Sequence, residues 1–163
     1  MHVHCRADAG VGATGYGPKI EGRSDAAIFT AAMSLSDLDL TSFNNAVGQL
    51  ERAYVSKPAD DLARDGCIQR FEYTFELAWK MLRRHFALDD AEAAERMTKK
   101  DLFREAAKQG LITDPLPWFG FLEARNTTSH VYDADKAEHV YAQGALFVPE
   151  ARALLDTLLD RHA

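Results

Sequence analysis

The feature that most constrains this chain is an apolar pattern of helical spacing in every segment from Thr41 to the last residues. Apolar side chains recur three or four positions apart, which is the spacing of one face of an α-helix. We find no strand-like alternation, no internal repeat and no Gly-Ser linker. Amphipathic helices joined by short connections pack as an antiparallel bundle. The sequence therefore predicts an all-α fold, an antiparallel bundle of four to five helices.

Breaks in the pattern give the helix boundaries. Pro58 ends the first helix, Gly110 follows the third, and "YDAD" precedes the last. Thr98 with Asp101 three residues later resembles a capping box, and Asp114 or the prolines after it begin the fourth helix. Pro149 is expected to kink or divide the last helix. The predicted helices cover 41–56, 61–86, 98–109, about 114–130 and 136–162.

The first 32 residues differ from the rest in composition. They are rich in Gly and Ala and show no apolar period. The letters "IEGR" at 20–23 match a protease-cleavage linker used in recombinant proteins, and Met33 is a candidate natural start. We interpret 1–32 as an unstructured leader, a tag or a mis-called start, and 33–163 as the helical domain.

Composition limits the class of function. The net charge of −6 argues against a protein that coats nucleic acid non-specifically, so any RNA or nucleotide site has to be local. No apolar run approaches the length of a membrane span. Cys5 and Cys67 suggest no disulfide framework, and Cys67 fits a buried thiol, so a reducing cytoplasm is expected. His2, His4 and Cys5 lack a fourth ligand, and we predict no metal and no cofactor.

The stretch "RNTTSHVY", from Arg125 to Tyr132, breaks the helical rule. Five mediocre helix formers in a row cost about 2–3 kcal/mol inside a helix. Asn126 and His130 are four residues apart, so on a continuous helix Asn126 would hydrogen-bond the imidazole and hold its tautomer. Arg125 is about 140° from His130 on an ideal helix, and a second subunit can supply its own copy across a two-fold axis.

These residue types suit the chemistry of RNA phosphates. The planar guanidinium of Arg125 matches phosphate oxygens and stabilises developing charge. His130 titrates near neutral pH and can take a proton from a ribose 2′-hydroxyl, a route that needs no metal. Tyr132 lies where its hydroxyl can reach the same cleft. The alternative from spacing alone is an ordinary polar helix end, because Arg and His five residues apart are common.

A second candidate is "RFEYTFELAWK", from Arg70 to Lys80. Glu72, Glu76 and Lys80 are four residues apart and share a face of the helix, at the border of its apolar stripe. One interpretation is a Glu76–Lys80 ion pair worth a few tenths of a kcal/mol. The other is a polar wall of a substrate groove, with Arg70 and Lys80 available to phosphates.

Other aromatic and imidazole side chains give weaker signals. We favour core or interface positions for Trp79 and Trp118 over base-stacking platforms. We interpret His85, His139 and His162 as surface residues, and His85 suits a helix C-terminus.

The order of these motifs, "RFEYTFELAWK", then a Trp, then "RNTTSHVY", resembles the HEPN superfamily. Within it the chain is similar to the nucleotidyltransferase substrate-binding proteins, over residues 37–161. Members of that subgroup are small all-helical proteins encoded beside a minimal nucleotidyltransferase. The R-x4-H-x-Y signature is weak alone, but together with the preceding helix it is fairly specific.

The resemblance implies roles for named residues. Arg125 and His130 would be the ribonuclease pair of HEPN toxins, supported by Asn126. The family forms homodimers in which both copies of the motif meet in one cleft. In related toxin–antitoxin pairs the nucleotidyltransferase encoded by the adjacent gene transfers AMP to the motif tyrosine, here Tyr132, and silences the toxin. All four residues are intact in this sequence.

Three readings follow. The first is a metal-independent endoribonuclease toxin. The second is a non-catalytic subunit whose cleft binds a nucleotide or presents a substrate to the nucleotidyltransferase. The third is an inert helical bundle used for assembly. The chain has no Gly-Ser pair followed by paired Asp residues, so it is not expected to transfer nucleotides alone.

Overall fold

The structure is a computed structural model that describes residues 38–130 and 132–163, except for the side chain of His130. The predictions for residues 1–37, including the leader and the His2, His4 and Cys5 group, lie outside the described residues. Within the described part no helix is both long and apolar enough to cross a membrane.

Six α-helices make up the described part of the chain. They are α1 (Thr41–Ala53), α2 (Asp61–Ala87), α3 (Ala91–Arg96), α4 (Lys99–Lys108), α5 (Pro115–Thr127) and α6 (Ala134–Arg161), and a 3₁₀ helix, Thr128–His130, follows α5. The predicted all-α bundle is confirmed.

Side-chain caps begin most of these helices. Asp60 accepts a hydrogen bond from the backbone N–H of Ala63 at the start of α2, at 2.8 Å. Thr98 and Asp101 form the predicted capping box of α4. Gly110 follows α4 with φ of 72°, a left-handed conformation that favours glycine. Each cap satisfies backbone groups that a helix end would otherwise leave unpaired, which is why these boundaries were legible in the sequence.

Several helix assignments differ from the prediction. The first helix ends at Ala53 and not at residue 56, because 54–56 form a turn. The six-residue helix α3 was not predicted, since it is too short to show a period. The last helix begins at Ala134 and continues through Pro149 without dividing. Pro149 faces solvent, where water can satisfy the carbonyl that loses its partner, and the flanking buried residues hold the helix on the core.

An aromatic cluster forms the centre of the bundle and fixes α2, α4, α5 and α6 together. Trp118 is fully buried and its ring centroid lies 5.3 Å from that of Phe103 and 5.5 Å from that of Phe147. Phe75 of α2 joins the same group at 5.7 Å from Phe147. Each such side chain contributes roughly 1.5–3 kcal/mol through burial. The core position favoured for Trp118 is confirmed, and it sets α5 against the polar border of α2.

Candidate functional site

Arg125, in the last turn of α5, binds two carboxylates of α2. Its Nε donates a hydrogen bond to Oε1 of Glu76 at 3.1 Å, and its Nη1 lies 3.3 Å from Oε1 of Glu72. The two glutamates are one helical turn apart, which matches the width of a guanidinium group. The Arg125 side chain remains 32% exposed. The two carboxylates therefore fix the plane of a cation that solvent can still reach. We call Glu72, Glu76 and Arg125 the Arg125 clamp.

Thr128, the first residue of the 3₁₀ helix, completes the clamp. Its buried hydroxyl lies 2.6 Å from Oε1 of Glu72 and 2.8 Å from the carbonyl oxygen of Arg125. The hydroxyl oxygen of Thr128 also accepts a hydrogen bond from Nη1 of Arg125 at 3.3 Å. The Thr128 hydroxyl thus links Glu72 to Arg125, a contact that a better helix former such as alanine would lack. Sequence reasoning missed this role, although Thr128 follows Arg125 by the three residues of one tight turn.

Glu76 also connects the clamp to α4. Its Oε2 accepts a hydrogen bond from Nε1 of Trp79 at 3.0 Å, and its Oε1 lies 3.8 Å from Nζ of Lys99. The ion pair considered between Glu76 and Lys80 is replaced by these contacts. Nζ of Lys80 lies instead 5.7 Å from the centroid of the Trp79 ring.

Arg70 lies away from the clamp, although the sequence grouped it with Glu72. Its Nη1 donates hydrogen bonds to Oε1 of Gln49 at 2.7 Å and to the hydroxyl of Tyr73 at 3.1 Å. Arg70 and Glu72 are two residues apart, so about 200° of helix rotation separates them. The structure brings together Glu72 and Glu76 from the predicted groove, and it places Arg70 on the side of α2 that faces α1.

The segment after Arg125 is not the continuous α-helix that the spacing argument assumed. The α-helix ends at Thr127, and the next residues follow a 3₁₀ helix with about three residues per turn. The predicted hydrogen bond between Asn126 and His130 therefore loses its geometric basis in one helix face. The His130 side chain lies outside the described part, so its convergence with Arg125 stays a prediction.

Asn126 and Tyr132 are both at the surface. Asn126 lines an open hollow of about 340 Å³ together with Lys100, Phe119 and Glu123. Tyr132 is 84% exposed and lies in the turn before α6. Within the described ranges, no group of three or more His, Cys, Asp and Glu side chains is placed to hold a metal ion.

Comparisons with known proteins agree with one another. Residues 38–160 match the profile of a family described as nucleotidyltransferase substrate binding protein like. A Haemophilus influenzae protein named probable ribonuclease HepT is 40% identical over 99 residues, which span 60% of this chain and 68% of that protein.

Two solved structures share the fold. One, also from Haemophilus influenzae, was described as revealing the fold of a substrate binding domain of a nucleotidyltransferase. It matches with a TM-score of 0.67 and 34% identity, over 74% of this chain and 99% of that one. The other, from Thermus thermophilus, has a TM-score of 0.58 and 29% identity, over 74% of this chain and 98% of that one.

Proposed function

The chain belongs to the nucleotidyltransferase substrate binding protein-like family, and from this premise we propose that it is the helical partner of a minimal nucleotidyltransferase and a metal-independent endoribonuclease. The resemblance to the HEPN subgroup is confirmed at the level of the family. The relative named probable ribonuclease HepT supports the reaction class. The proposed partner is encoded by the adjacent gene, and the proposed active form is a homodimer.

The Arg125 clamp is the observation that carries this proposal. Two carboxylates and the Thr128 hydroxyl engage Nε and Nη1 of Arg125. The guanidinium is therefore held in one plane before substrate arrives. A fixed, partly exposed guanidinium costs little reorganisation when it stabilises charge on a phosphate, which is the basis of electrostatic catalysis. An ordinary polar helix end has no need for such support.

The proposed reaction is an internal transfer at phosphorus. His130 accepts the proton of the ribose 2′-hydroxyl, the 2′-oxygen attacks phosphorus, and the bond to the 5′-oxygen breaks. The 5′-oxygen takes up a proton from an imidazolium or from water. The products are a 2′,3′-cyclic phosphate and a 5′-hydroxyl end. Arg125 binds the phosphate oxygens on which charge accumulates. The family resemblance gives Asn126 a supporting role, which no longer rests on a helix face shared with His130.

Tyr132 is the proposed site of control. The nucleotidyltransferase would transfer AMP to the hydroxyl of this exposed residue, which places a phosphate and a purine beside the motif. That bulk and negative charge would block the cleft to RNA phosphates. The family expectation and the exposure of Tyr132 support this assignment.

The test replaces His130→Ala and Tyr132→Phe separately. We expect His130→Ala to abolish RNA cleavage, measured on labelled RNA with analysis of the product ends, while its circular dichroism and dimer mass stay those of the wild type. Tyr132→Phe should cleave RNA normally but escape silencing by the coexpressed nucleotidyltransferase. Undiminished cleavage by His130→Ala would remove the mechanism.

A second candidate function is a non-catalytic subunit that binds a nucleotide or presents a substrate. One observation favours it. Glu72 and Glu76 offset the positive charge of Arg125, which weakens the electrostatic attraction between Arg125 and a phosphate. Expression without the adjacent gene distinguishes the two functions. Harmless overexpression with intact cellular RNA would favour the binding subunit, and growth arrest with RNA degradation would favour the ribonuclease.

A further inference from the structure

Three basic side chains surround the ring of Trp79 at the edge of α2. Nζ of Lys99 lies 4.6 Å from the ring centroid, the guanidinium carbon of Arg83 lies 5.1 Å from it, and Nζ of Lys80 lies 5.7 Å from it. The ring is partly buried and its indole N–H is held by Glu76. Trp79 is thus an anchored aromatic ring with three cations close to it.

A second ring on the other side of α4 repeats the arrangement. Phe119 of α5 is partly buried, and Nζ of Lys100 lies 5.6 Å from its centroid. The guanidinium carbon of Arg104 lies 5.2 Å from the same centroid. Lys99 and Lys100 are neighbours in the first turn of α4, so this short helix joins the two rings. We call the seven residues the α4 surface, namely Trp79, Lys80, Arg83, Lys99, Lys100, Arg104 and Phe119.

The charge of the α4 surface opposes that of the chain, which carries a net −6. Two of its five cations have carboxylate partners, since Lys99 approaches Glu76 at 3.8 Å and Arg104 approaches Asp101 at 3.1 Å. Glu123 is a further acidic neighbour across the hollow beside Phe119. Among the described residues no ion pair involves Lys80, Arg83 or Lys100. A local positive field remains, in a protein whose overall charge repels nucleic acid.

The α4 surface leads to the Arg125 motif at two points. Glu76 bonds the Trp79 indole through one oxygen and Arg125 through the other. Phe119 and Lys100 line the same hollow as Asn126. A ligand that lay along the α4 surface would therefore reach two of the proposed catalytic residues without crossing the core.

From this arrangement we propose that the α4 surface binds single-stranded RNA and guides it to the Arg125 motif. Arg83 is held by a hydrogen bond to the carbonyl oxygen of Met97 at 3.0 Å, whereas Lys80 and Lys100 are exposed. Rings flanked by two exposed lysines fit a strand whose bases stack while its phosphates meet ammonium groups. An exposed cation–π contact is weaker than base stacking, so Lys80 and Lys100 can leave the rings and bind phosphates. A second copy of the chain is a poorer occupant, because a two-fold interface here sets like charges against each other.

The proposal rests on the proposed function for the identity of its ligand. It is tested by binding alone, in the His130→Ala dimer and with a fluorescein-labelled single-stranded RNA of mixed sequence. Fluorescence anisotropy over a range of salt concentrations gives affinity and salt slope. The changes are Lys80→Glu, Lys100→Glu and Phe119→Leu. The matched control is Lys57→Glu, since Lys57 is equally an exposed lysine but lies in the turn between α1 and α2.

We expect either charge reversal to weaken binding about tenfold and to reduce the salt slope by about 0.7 for each lost phosphate contact. Phe119→Leu keeps an apolar side chain but removes the stacking face, so binding should weaken at least about fivefold with an unchanged salt slope. Lys57→Glu should change affinity less than about twofold. Thermal melts confirm that each variant is folded.

Several results would overturn the proposal. Equal losses for Lys57→Glu and Lys100→Glu would show a general charge effect and no surface. If the parent dimer does not bind RNA, then RNA is not the ligand of the α4 surface. A change in dimer mass on Lys100→Glu would assign the surface to a protein interface instead. RNA binding that depends on the α4 surface in a chain that never cleaves RNA would reject the ribonuclease and leave this inference intact.

Discussion

At the scale of single residues, the run after Arg125 is less costly than a mid-helix position implies. Only Asn126 and Thr127 of the weak helix formers belong to α5, because the helix ends there. Thr128 then gains bonds to Glu72 and to the backbone of Arg125. Partly exposed ion pairs such as those of the clamp contribute up to about 1 kcal/mol each. The polar run is therefore a helix terminus that also orients a guanidinium.

His85 and His162 form a pair, although the sequence analysis interpreted each as an isolated surface residue. Nδ1 of His85 lies 2.8 Å from Nε2 of His162, so one ring donates a hydrogen bond and the other accepts. Burial, and then the neighbouring His162 and Arg161, lower the pKa of His85 below its usual 6.5, against opposing effects of Asp89 and Gln109. The pairing joins residues 77 positions apart, which no local pattern reveals.

This pair predicts an acid-sensitive contribution to stability. Because the folded pKa of His85 is lowered, the unfolded chain binds its proton more readily, so the contribution is complete above about pH 6.5 and is lost as the pH falls below it. Thermal melts between about pH 7.5 and 5.5 should show that His85→Gln loses a few degrees less than the wild type. His139→Gln, at an exposed position, should follow the wild-type curve. Parallel curves for all three proteins would contradict the prediction.

At the scale of the elements, the sequence predicted what local chemistry decides. Caps such as Thr98 with Asp101 act within one turn, so they can be read directly. Pro149 was expected to kink or divide the last helix, and it does not divide it, because its cost depends on which face of α6 is exposed, and this depends on packing. Arg70 was predicted in the groove because it is two residues from Glu72, but the rotation of the helix turns it toward α1. The joining of Glu72 and Glu76 to Arg125 depends on how α5 lies on α2, which no local pattern specifies.

Two glycines give a matched prediction about helix packing. Gly144 of α6 is buried, and a Cβ there would overlap the Tyr54 hydroxyl and lie 2.8 Å from Cζ of that ring. The Tyr54 ring stacks on that of Tyr141, with the two centroids 5.1 Å apart, so the Tyr54 side chain is not free to move away from Gly144. Gly144→Ala should lower the free energy of unfolding by about 1–3 kcal/mol despite the better helix propensity of alanine. Urea unfolding measures the change.

Gly66 of α2 is the control for Gly144. A Cβ at Gly66 would meet no atom within 4 Å, and the residue is in the helix interior. Gly66→Ala should therefore raise the free energy of unfolding by about 0.5–1 kcal/mol. A stabilising Gly144→Ala would mean that Tyr54 moves aside at little cost and that the packing of α1 against α6 is looser than described.

At the scale of the whole molecule, α2 connects the parts that the proposed function needs. Its apolar stripe packs on α1 and α6, its carboxylates hold Arg125, and Trp79 on the same helix begins the α4 surface. Rigid helices in a packed bundle keep such groups in place more precisely than loops do. Among the described residues of the motif, Arg125 is the guanidinium that can meet a phosphate, and Glu72 and Glu76 offset its charge. A second copy would add its own motif residues, including a second His130, to the same cleft, which is the reason to expect a homodimeric site.

The proposed homodimer predicts active sites that contain residues from both copies of the chain. His130 lies beyond the end of α5, in the 3₁₀ helix, and the Arg125 side chain is committed to Glu72 and Glu76 of α2. We therefore expect each site to combine Arg125 of one copy with His130 of the other.

Arg125→Ala and His130→Ala should each be inactive as homodimers. A heterodimer of the two, coexpressed with different affinity tags, retains one intact composite site, so it should cleave labelled RNA at about half the wild-type rate. If Arg125 and His130 act within one chain, or if the cleft needs all four groups at once, the heterodimer stays inactive. An inactive heterodimer of normal mass and stability would therefore reject the composite site.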